Sequence, residues 1–478
     1  MAVSIKVSKY RYLAKNVGLL TVSSFATKLL SFFLVPLYTS VLTTTEYGTY
    51  DLFTTTVGVL VPILTLDVQD GVLRFAMDRD CNRSALVTVG VRCTLIGCGI
   101  VCAVLLVLLT LGLFPLDGRF AVYFLLVFAV QAMYGLSSAY ARGSDRIRDL
   151  SVSGVMASVA TIGLNIVFLL PMHMGLDGYF LANIIGPIVQ VVYLFSRSGM
   201  PDDTHLTRRY EKQTRTLLSY AKPLVANNVA WWVNNLSDRY IVTLFCGVAA
   251  NGVYSVATKI PSILNIFQTI FNQAWSLSST KDFDPEDKDG FFANTYRAYN
   301  CLMVIVCSAI IVADKPLARF LYANDFFVAW QYVPWLTIAI LFGALTGYLE
   351  GFFVAVKDSK TSARCTVAGA VTNVALNFLL TPIMGPLGAS IATAVCYLEV
   401  WVLRLWFSRQ YIRLRIKLVR DIVSYAIIVV QSIVLLLVVD PLPMYAAIGA
   451  LFLAVVLLYL CDLRLVLGKA LSAVRGRR

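Results

Sequence analysis

Residues Ser84 to Gly112 read SALVTVGVRCTLIGCGIVCAVLLVLLTLG. The only charged side chain in this run is Arg92. The run is longer than the roughly 20 apolar residues an α-helix needs to cross the hydrocarbon core of a bilayer. The rest of the chain is written in the same way. Of its 478 residues, 58% are hydrophobic and 14% charged, where an ordinary soluble domain has roughly 45–50% and about 25%. Apolar windows fall at 16–40, 48–66, 84–112, 119–140, 150–171, 176–196, 217–245, 250–277, 297–314, 330–356, 361–381, 386–407, 419–439 and 443–461. These predict about 14 transmembrane helices and an all-α polytopic membrane protein.

The distribution of positive charge tests that map, because misplaced spans would scramble the alternation of sides. Of the 40 lysines and arginines, only Arg119, Lys315 and Arg319 fall in loops opposite the N-terminal side. Lys28, Arg92, Lys222, Arg239 and Lys259 fall inside spans, and all the others lie on the N-terminal side. Both termini are therefore expected in the cytoplasm, in a plasma membrane. The net charge of +13 belongs to this topology and not to nucleic-acid binding. The basic start, Lys6 to Lys15, lacks an A-x-A cleavage pattern, so no signal peptide is expected. External loops are short, 315–329 being the longest, which leaves no room for an outer-face catalytic domain.

The two halves echo one another in order. Glu46-Tyr47-Gly48-Thr49-Tyr50 matches Ala250-Asn251-Gly252-Val253-Tyr254, and at the same offset Gln69 falls on Gln273. Asn165, Pro171, Gly175, Gly178 and Ala182 are echoed by Asn377, Pro382, Gly385, Gly388 and Ala392. Six spans separate equivalent positions, so the repeats are parallel, an arrangement in which transporters place a substrate site at the repeat interface. The small residues also have a plainer reading as tight helix packing. The expected organisation is 1–197, then 198–407 after a cytoplasmic linker, then a helix pair with a basic tail at 408–478.

Ionisable groups inside a bilayer cost roughly 2.5–3.5 kcal/mol on insertion scales and tend to face protein or water. Lys28 shares a helical face with Thr21, Ser24 and Ser31. In the seventh span Asn227, Trp231, Asn234 and Asp238 share a face, flanked by Asn228, Asn235 and Arg239; in the eighth, Lys259, Ser262 and Thr269 do. Arg92 and Lys222 read either as cavity cations or as snorkelling side chains. Arg74, Arg142, Lys357 and Arg364 stand at span ends, where topology places cations anyway. Asp51 reads as a coupling group or a helix cap. The Arg404–Arg420 segment is expected to face anionic headgroups. The intramembrane balance is cationic, with Glu350 and Glu399 peripheral, and suits an anionic substrate such as a phosphate or pyrophosphate.

No P-loop, H-E-x-x-H or C-x-x-C motif is present, and the acidic run from Asp282 to Asp289 does not have the spacing of a calcium loop. No metal, cofactor or enzyme activity is expected, which leaves transport.

From end to end the chain resembles polysaccharide (O-antigen) flippases of the Wzx type, in the multidrug/oligosaccharidyl-lipid/polysaccharide superfamily. The resemblance is carried by Lys15-Asn16, by Pro36-Leu37-Tyr38 through Tyr50, by Gly71-Val72-Leu73-Arg74-Phe75, and by the Asn165…Gly178 segment with its echo. It implies two six-helix lobes around a central cavity plus two C-terminal helices. It also implies an undecaprenyl-pyrophosphate-linked oligosaccharide as cargo, moved by alternating access, with membrane lipids and a polysaccharide polymerase as partners. Lys28, Arg74, Arg239 and Lys259 are then the candidates for the pyrophosphate, and Asn227, Asn234 and hydroxyls for the sugars. The alternatives are a lipid II flippase, a multidrug/cation antiporter of the same superfamily and a non-transporting scaffold. The antiporters usually have twelve spans and cavity carboxylates, whereas here the first span carries Lys28 and no acid and fourteen spans are expected.

Overall fold

The computed structural model describes residues 32–78, 81–114, 116–200, 204–208, 210–281 and 283–463; within helices, the side chains at 198, 227, 230, 231, 234, 235, 273, 274, 276–278, 280 and 281 lie outside that description. The described residues form helices and no strand. They group into two compact units, Met1–Ser237 and Asp238–Arg478.

In the first unit a short helix, α1 (Val35–Val41), precedes α2 (Thr44–Leu64). The start of α2 is set by a capping box: Thr43 accepts from the Glu46 backbone N–H, and the Glu46 carboxylate accepts from that of Thr43. Pro62 stands inside α2, where it withholds one backbone donor. The helix stops two residues after it, at Leu64, and the chain turns at Leu66 and Asp67, whose backbones are left-handed. α3 (Val68–Ala76) leaves the break at 62°. There follow α4 (Arg83–Thr110), α5 (Gly118–Gly143), α6 (Ile147–Leu169) and α7 (Gly175–Ser198). The linker after α7 is tied to α4: the Arg92 guanidinium donates to the Leu206 and Arg208 carbonyls at 2.5 and 2.6 Å, and the His205 N–H donates to Thr88 Oγ1 at 3.0 Å.

The unit boundary falls inside α8 (Glu211–Ala257), which is broken at Gly247 with φ +86° and ψ 170°. A turn at 258–261, ending on Pro261, leads into α9 (Ser262–Lys281). The second unit continues with α10 (Phe291–Leu321), a 3₁₀ turn at Asn324–Gln331, α11 (Val333–Ala355), α12 (Ser359–Met384), α13 (Pro386–Ser408), α14 (Leu418–Leu437) and α15 (Pro441–Leu458).

Among the described residues, 11 helices are long and apolar enough to cross a membrane, or 12 if the bent α2–α3 pair is one span. The first of the fourteen expected spans, 16–40, lies largely outside the described residues. The eighth, 250–277, is interrupted by the 258–261 turn. The expected external loop 315–329 is mostly helical: α10 runs on to Leu321, and Lys315 lies over the Trp330 ring at 4.3 Å. Its charges are those of an amphipathic helix end.

The repeated glycines mark close approaches. A Cβ added at Gly388 would sit 2.4 Å from the Leu380 carbonyl oxygen, and one at Gly178 would sit 2.9 Å from Phe168 Cβ. Backbone oxygen cannot move aside as a side chain can. Gly388→Ala is expected to destabilise the protein by about 1–3 kcal/mol, read as a shorter half-life of folded, detergent-solubilised protein on heating. A half-life equal to wild type would show that the α12–α13 junction is not tightly packed.

The expectation that Arg404–Arg420 faces headgroups fails at both ends of that segment. Arg404 turns inward: Nη1 pairs with Glu350 at 2.5 Å, and the guanidinium donates to the Thr346 carbonyl, Ser362 and Thr366. Glu350 is therefore a structural counter-ion linking α11, α12 and α13. Arg420 pairs with Asp421 and with Asp462, which also takes Arg297 of α10 at 2.5 Å. With Asn300, Tyr425 and Tyr459 hydrogen-bonded alongside, this network fastens α14 and α15 to α10. Sequence proximity to other cations disguised two arginines whose partners lie on distant helices. At the start of α12, hydrogen bonds from Thr361 and Tyr411 hold the Asp358 carboxyl below the usual carboxylate range.

Candidate functional site

In the second unit a polar cluster surrounds Asp238, which is only 4% exposed. Oδ2 accepts from the Tyr254 hydroxyl at 3.0 Å and from Thr393 Oγ1 at 2.6 Å, and Oδ1 accepts from Asn377 Nδ2 at 3.0 Å. Asp238 and Tyr254 belong to one helix, sixteen positions apart. In a straight α-helix they would be about 24 Å apart along the axis. The break at Gly247 folds the end of α8 back so that they meet. A positive φ of this kind is open to glycine and strained for other residues, so the sequence spends a glycine where the site must close.

Asn377 Nδ2 also donates to Asn373 Oδ1 at 2.7 Å, while Asn377 Oδ1 and Asn373 Nδ2 are buried without a partner. The ligand atoms on offer are the Asp238 carboxylate, Asn377 Oδ1 and Thr393 Oγ1. They are hard oxygens, suited to a proton or a small hard cation and unsuited to a soft transition metal. Among the described residues there is no group of three or more His, Cys, Asp or Glu that could hold a metal ion.

The repeat shows what is special about this unit. Asn377 corresponds to Asn165, Asn373 to Thr161, Thr393 to Asn183 and Tyr254 to Tyr50. At the offset that aligns Tyr50 with Tyr254, Asp238 corresponds to Leu34. The first unit thus has a related cradle, in which Asn165 donates to the Thr161 carbonyl at 2.8 Å and its Oδ1 is buried without a partner. A buried leucine stands where the second unit has its acid. One repeat carries the titratable group and the other does not.

Lys259 sits in the turn between α8 and α9, half-buried; its backbone N–H bonds to the Val256 carbonyl and its carbonyl accepts from Ser262 Oγ. No described group pairs with its ammonium. Arg239 is half-buried beside Asp238 and acts on its carboxylate.

In the first unit, two other described side chains of the polar seventh span reach α2 and the break after it. Asn228 Nδ2 donates to Asp67 Oδ2 at 2.9 Å, and Trp232 Nε1 donates to the Thr55 carbonyl at 2.9 Å. Asn227 and Asn234 lie on α8, but their side chains are outside the described residues, as is Lys28 entirely. Arg74 pairs with Asp78 at 2.9 Å, half-exposed at the end of α3. Arg92 holds the linker, and Lys222 is exposed. Asp51 is buried two turns inside α2 and does not cap it, since Thr43 and Glu46 do. The structure thus joins Asp238, with Arg239 beside it, to Asn373, Asn377, Thr393 and Tyr254, and leaves Arg74 and Arg92 elsewhere.

A family model described as "Polysaccharide biosynthesis protein" matches residues 13–276, more than half of the chain. The chain belongs to this polysaccharide biosynthesis family. Its bent second span and the break at Gly247 both lie within the matched segment. Among individual proteins it is similar to a probable low-salt glycan biosynthesis flippase, Agl15, of Haloferax volcanii, at 22% identity over 307 residues. That alignment spans 63% of this chain and 63% of the relative. Its fold is similar to that of the lipid II flippase MurJ in an inward closed conformation, with a TM-score of 0.67 at 13% identity over 94% of this chain and 99% of that one. It is also similar to an inward-facing multidrug resistance MATE transporter of the MOP superfamily, with a TM-score of 0.64 at 12% identity over 80% and 94% of the two chains. This family member thus has the fold of the superfamily that its sequence resembles.

Several residues of these sites are hidden in the sequence. Thr393 stands one position after Ala392, a repeated residue, and nothing but that adjacency marks it. Asp67 reads as a span end until the break places it inside. Asp314, expected at a span end, is fully buried on α10 with neither carboxylate oxygen hydrogen-bonded.

Proposed function

We propose that the protein is a flippase that carries a lipid-pyrophosphate-linked oligosaccharide from the cytoplasmic to the outer leaflet of the plasma membrane, for cell-surface polysaccharide synthesis. The observation that carries this reading is the unequal treatment of charge inside the membrane. The Asp238 carboxylate accepts from three neutral side chains, whereas no described group pairs with the half-buried Lys259 ammonium. A cation left available at the break between two helices suits the pyrophosphate of a lipid carrier. It is the wrong sign for a cationic drug. The Haloferax relative and family membership support the same class of cargo.

In this mechanism Lys259 neutralises part of the pyrophosphate while it is exposed to the cytoplasm, with Lys28 and Arg239 as further cations, and Asn227 and Asn234 bond sugar hydroxyls. The site then opens to the outer side, where the headgroup leaves because each contact is individually modest. Residues 1–197 and 198–407 act as the repeated transport halves, 408–478 as an appended helix pair, and both termini stay in the cytoplasm. The carrier is of the undecaprenyl type, and a polysaccharide polymerase receives the product outside. Asp238 is the coupling group, binding a proton or sodium ion. A second reading, a lipid II flippase, is favoured by the fold match along almost the whole chain and requires the same charge chemistry.

Hydrogen bonds to charged groups are worth about 1.5–3 kcal/mol, so Lys259→Gln is expected to lower transport about ten- to a hundredfold at normal abundance. Surface polysaccharide in a deletion strain complemented with the variant reads this out. Full complementation would sink the pyrophosphate role and favour a scaffold.

A further inference from the structure

The break between α2 and α3 holds a carboxylate without the usual reason for being there. Asp67 is fully buried. An aspartate opening a helix ordinarily accepts a hydrogen bond from a backbone N–H of the first turn, but the Asp67 side chain makes no such bond to α3. Its backbone is left-handed at φ +52°, next to Leu66 at +54°, a conformation that side chains rarely adopt. Oδ2 accepts from Asn228, and Oδ1 is buried with no partner. Asp70 stands one turn on, its backbone N–H donating to the Asp67 carbonyl at 3.1 Å, and the Asp70 and Gln69 side chains lie within reach of this carboxyl. Two acids near one another repel, and an unpaired carboxylate oxygen is costly inside a membrane protein. One bound positive charge relieves both problems. The carbonyl end of α2, the negative end of its dipole, faces the same break. Interrupted transmembrane helices place coupling ions at such ends.

The charged groups on the neighbouring elements are occupied elsewhere or turned outward. Arg74 pairs with Asp78, Arg92 and Arg142 donate to backbone carbonyls, Arg119 pairs with Asp177, and Lys222 is exposed.

We propose that the α2–α3 break binds a single monovalent positive charge, a proton or a sodium ion, between Asp67 and Asp70, with Asn228 orienting Asp67. The site is separate from the Asp238 cluster, and it does not rest on the identity of the cargo.

Trp232, bonded to α2 at Thr55, is a built-in reporter. The test uses the full chain in detergent, with sodium chloride replacing choline chloride at constant ionic strength. Tryptophan fluorescence is recorded alongside a Trp232→Phe control, and infrared difference spectra follow protonated carboxyls. A saturable sodium response that survives Asp238→Asn and is at least about tenfold weaker in Asp67→Asn identifies sodium. No sodium response, but a protonated carboxyl band lost in Asp67→Asn, identifies the proton. Neither signal, or a sodium response and carboxyl band unchanged by Asp67→Asn, overturns the proposal. Should Asp67→Asn fail to fold, Asp70→Asn and Asn228→Ala take its place, and each must weaken the signal. Because no transport is measured, failure here is distinct from failure of the flippase reading.

Discussion

Asp238→Asn is expected to reduce transport by at least about a hundredfold while the protein remains folded and abundant. Asparagine has the same shape, and its amide oxygen still accepts from one neighbour. The hydroxyls of Tyr254 and Thr393 can turn to accept from the new amide. What is lost is the negative charge and the capacity to take up a proton or a hard cation, since the groups that hydrogen-bond to Asp238 are hydroxyls and an amide. A hydrogen bond to a charged group is worth about 1.5–3 kcal/mol, and Asp238 accepts from three side chains. Two such interactions weakened in the transporting state are enough for about a hundredfold. Complementation and membrane abundance, measured together, check it. Active Asp238→Asn at normal abundance would make the cluster purely structural. Leu34 at the corresponding place in the first repeat sharpens this: Leu34→Asn is expected to leave coupling intact.

The second large effect is on stability. Arg404→Ala is expected to cost about 3–5 kcal/mol, the range for breaking a buried ion pair, and toward its lower end because the Glu350 side chain is 38% exposed. The mutation strips Glu350, the Thr346 carbonyl and the Ser362 and Thr366 hydroxyls of one shared donor at once. Folded protein in the membrane should fall several-fold. Arg404→Met combined with Glu350→Gln removes both charges and keeps most of the volume, so abundance should recover toward wild type. An Arg404→Ala protein as abundant as wild type would mean that Arg404 is satisfied by solvent or headgroups after all.

Much of the fold is legible from hydropathy alone, because an apolar run such as Ser84–Gly112 has few alternatives to a membrane helix. The breaks are less legible. Pro62 and Pro261 warn of interruption but do not say where the chain resumes, and Gly247 looks like any small residue in an apolar run. The site followed the same division. Asp238 stood out as an acid in a span, but its partners Asn373 and Thr393 come from helices far along the chain. Its contact with Tyr254 depends on a fold-back that helical periodicity does not foresee. Arg92 and Arg404 show the converse. One cation inside a span serves a linker, and one assigned to the membrane surface serves a buried carboxylate, because partners at long sequence distance outweigh local composition.

Transbilayer movement of a lipid-linked oligosaccharide is read in the distribution of that lipid between the two leaflets. In cells of the native host depleted of this protein, lipid-linked oligosaccharides are extracted, identified by mass spectrometry and assigned to a leaflet with an impermeant glycan-modifying enzyme. The expected result is a complete repeat unit accumulating on the cytoplasmic leaflet, with lipid II unchanged. No accumulation of any lipid-linked glycan there, together with new sensitivity to cationic drugs, would rule out a flippase and favour a drug exporter.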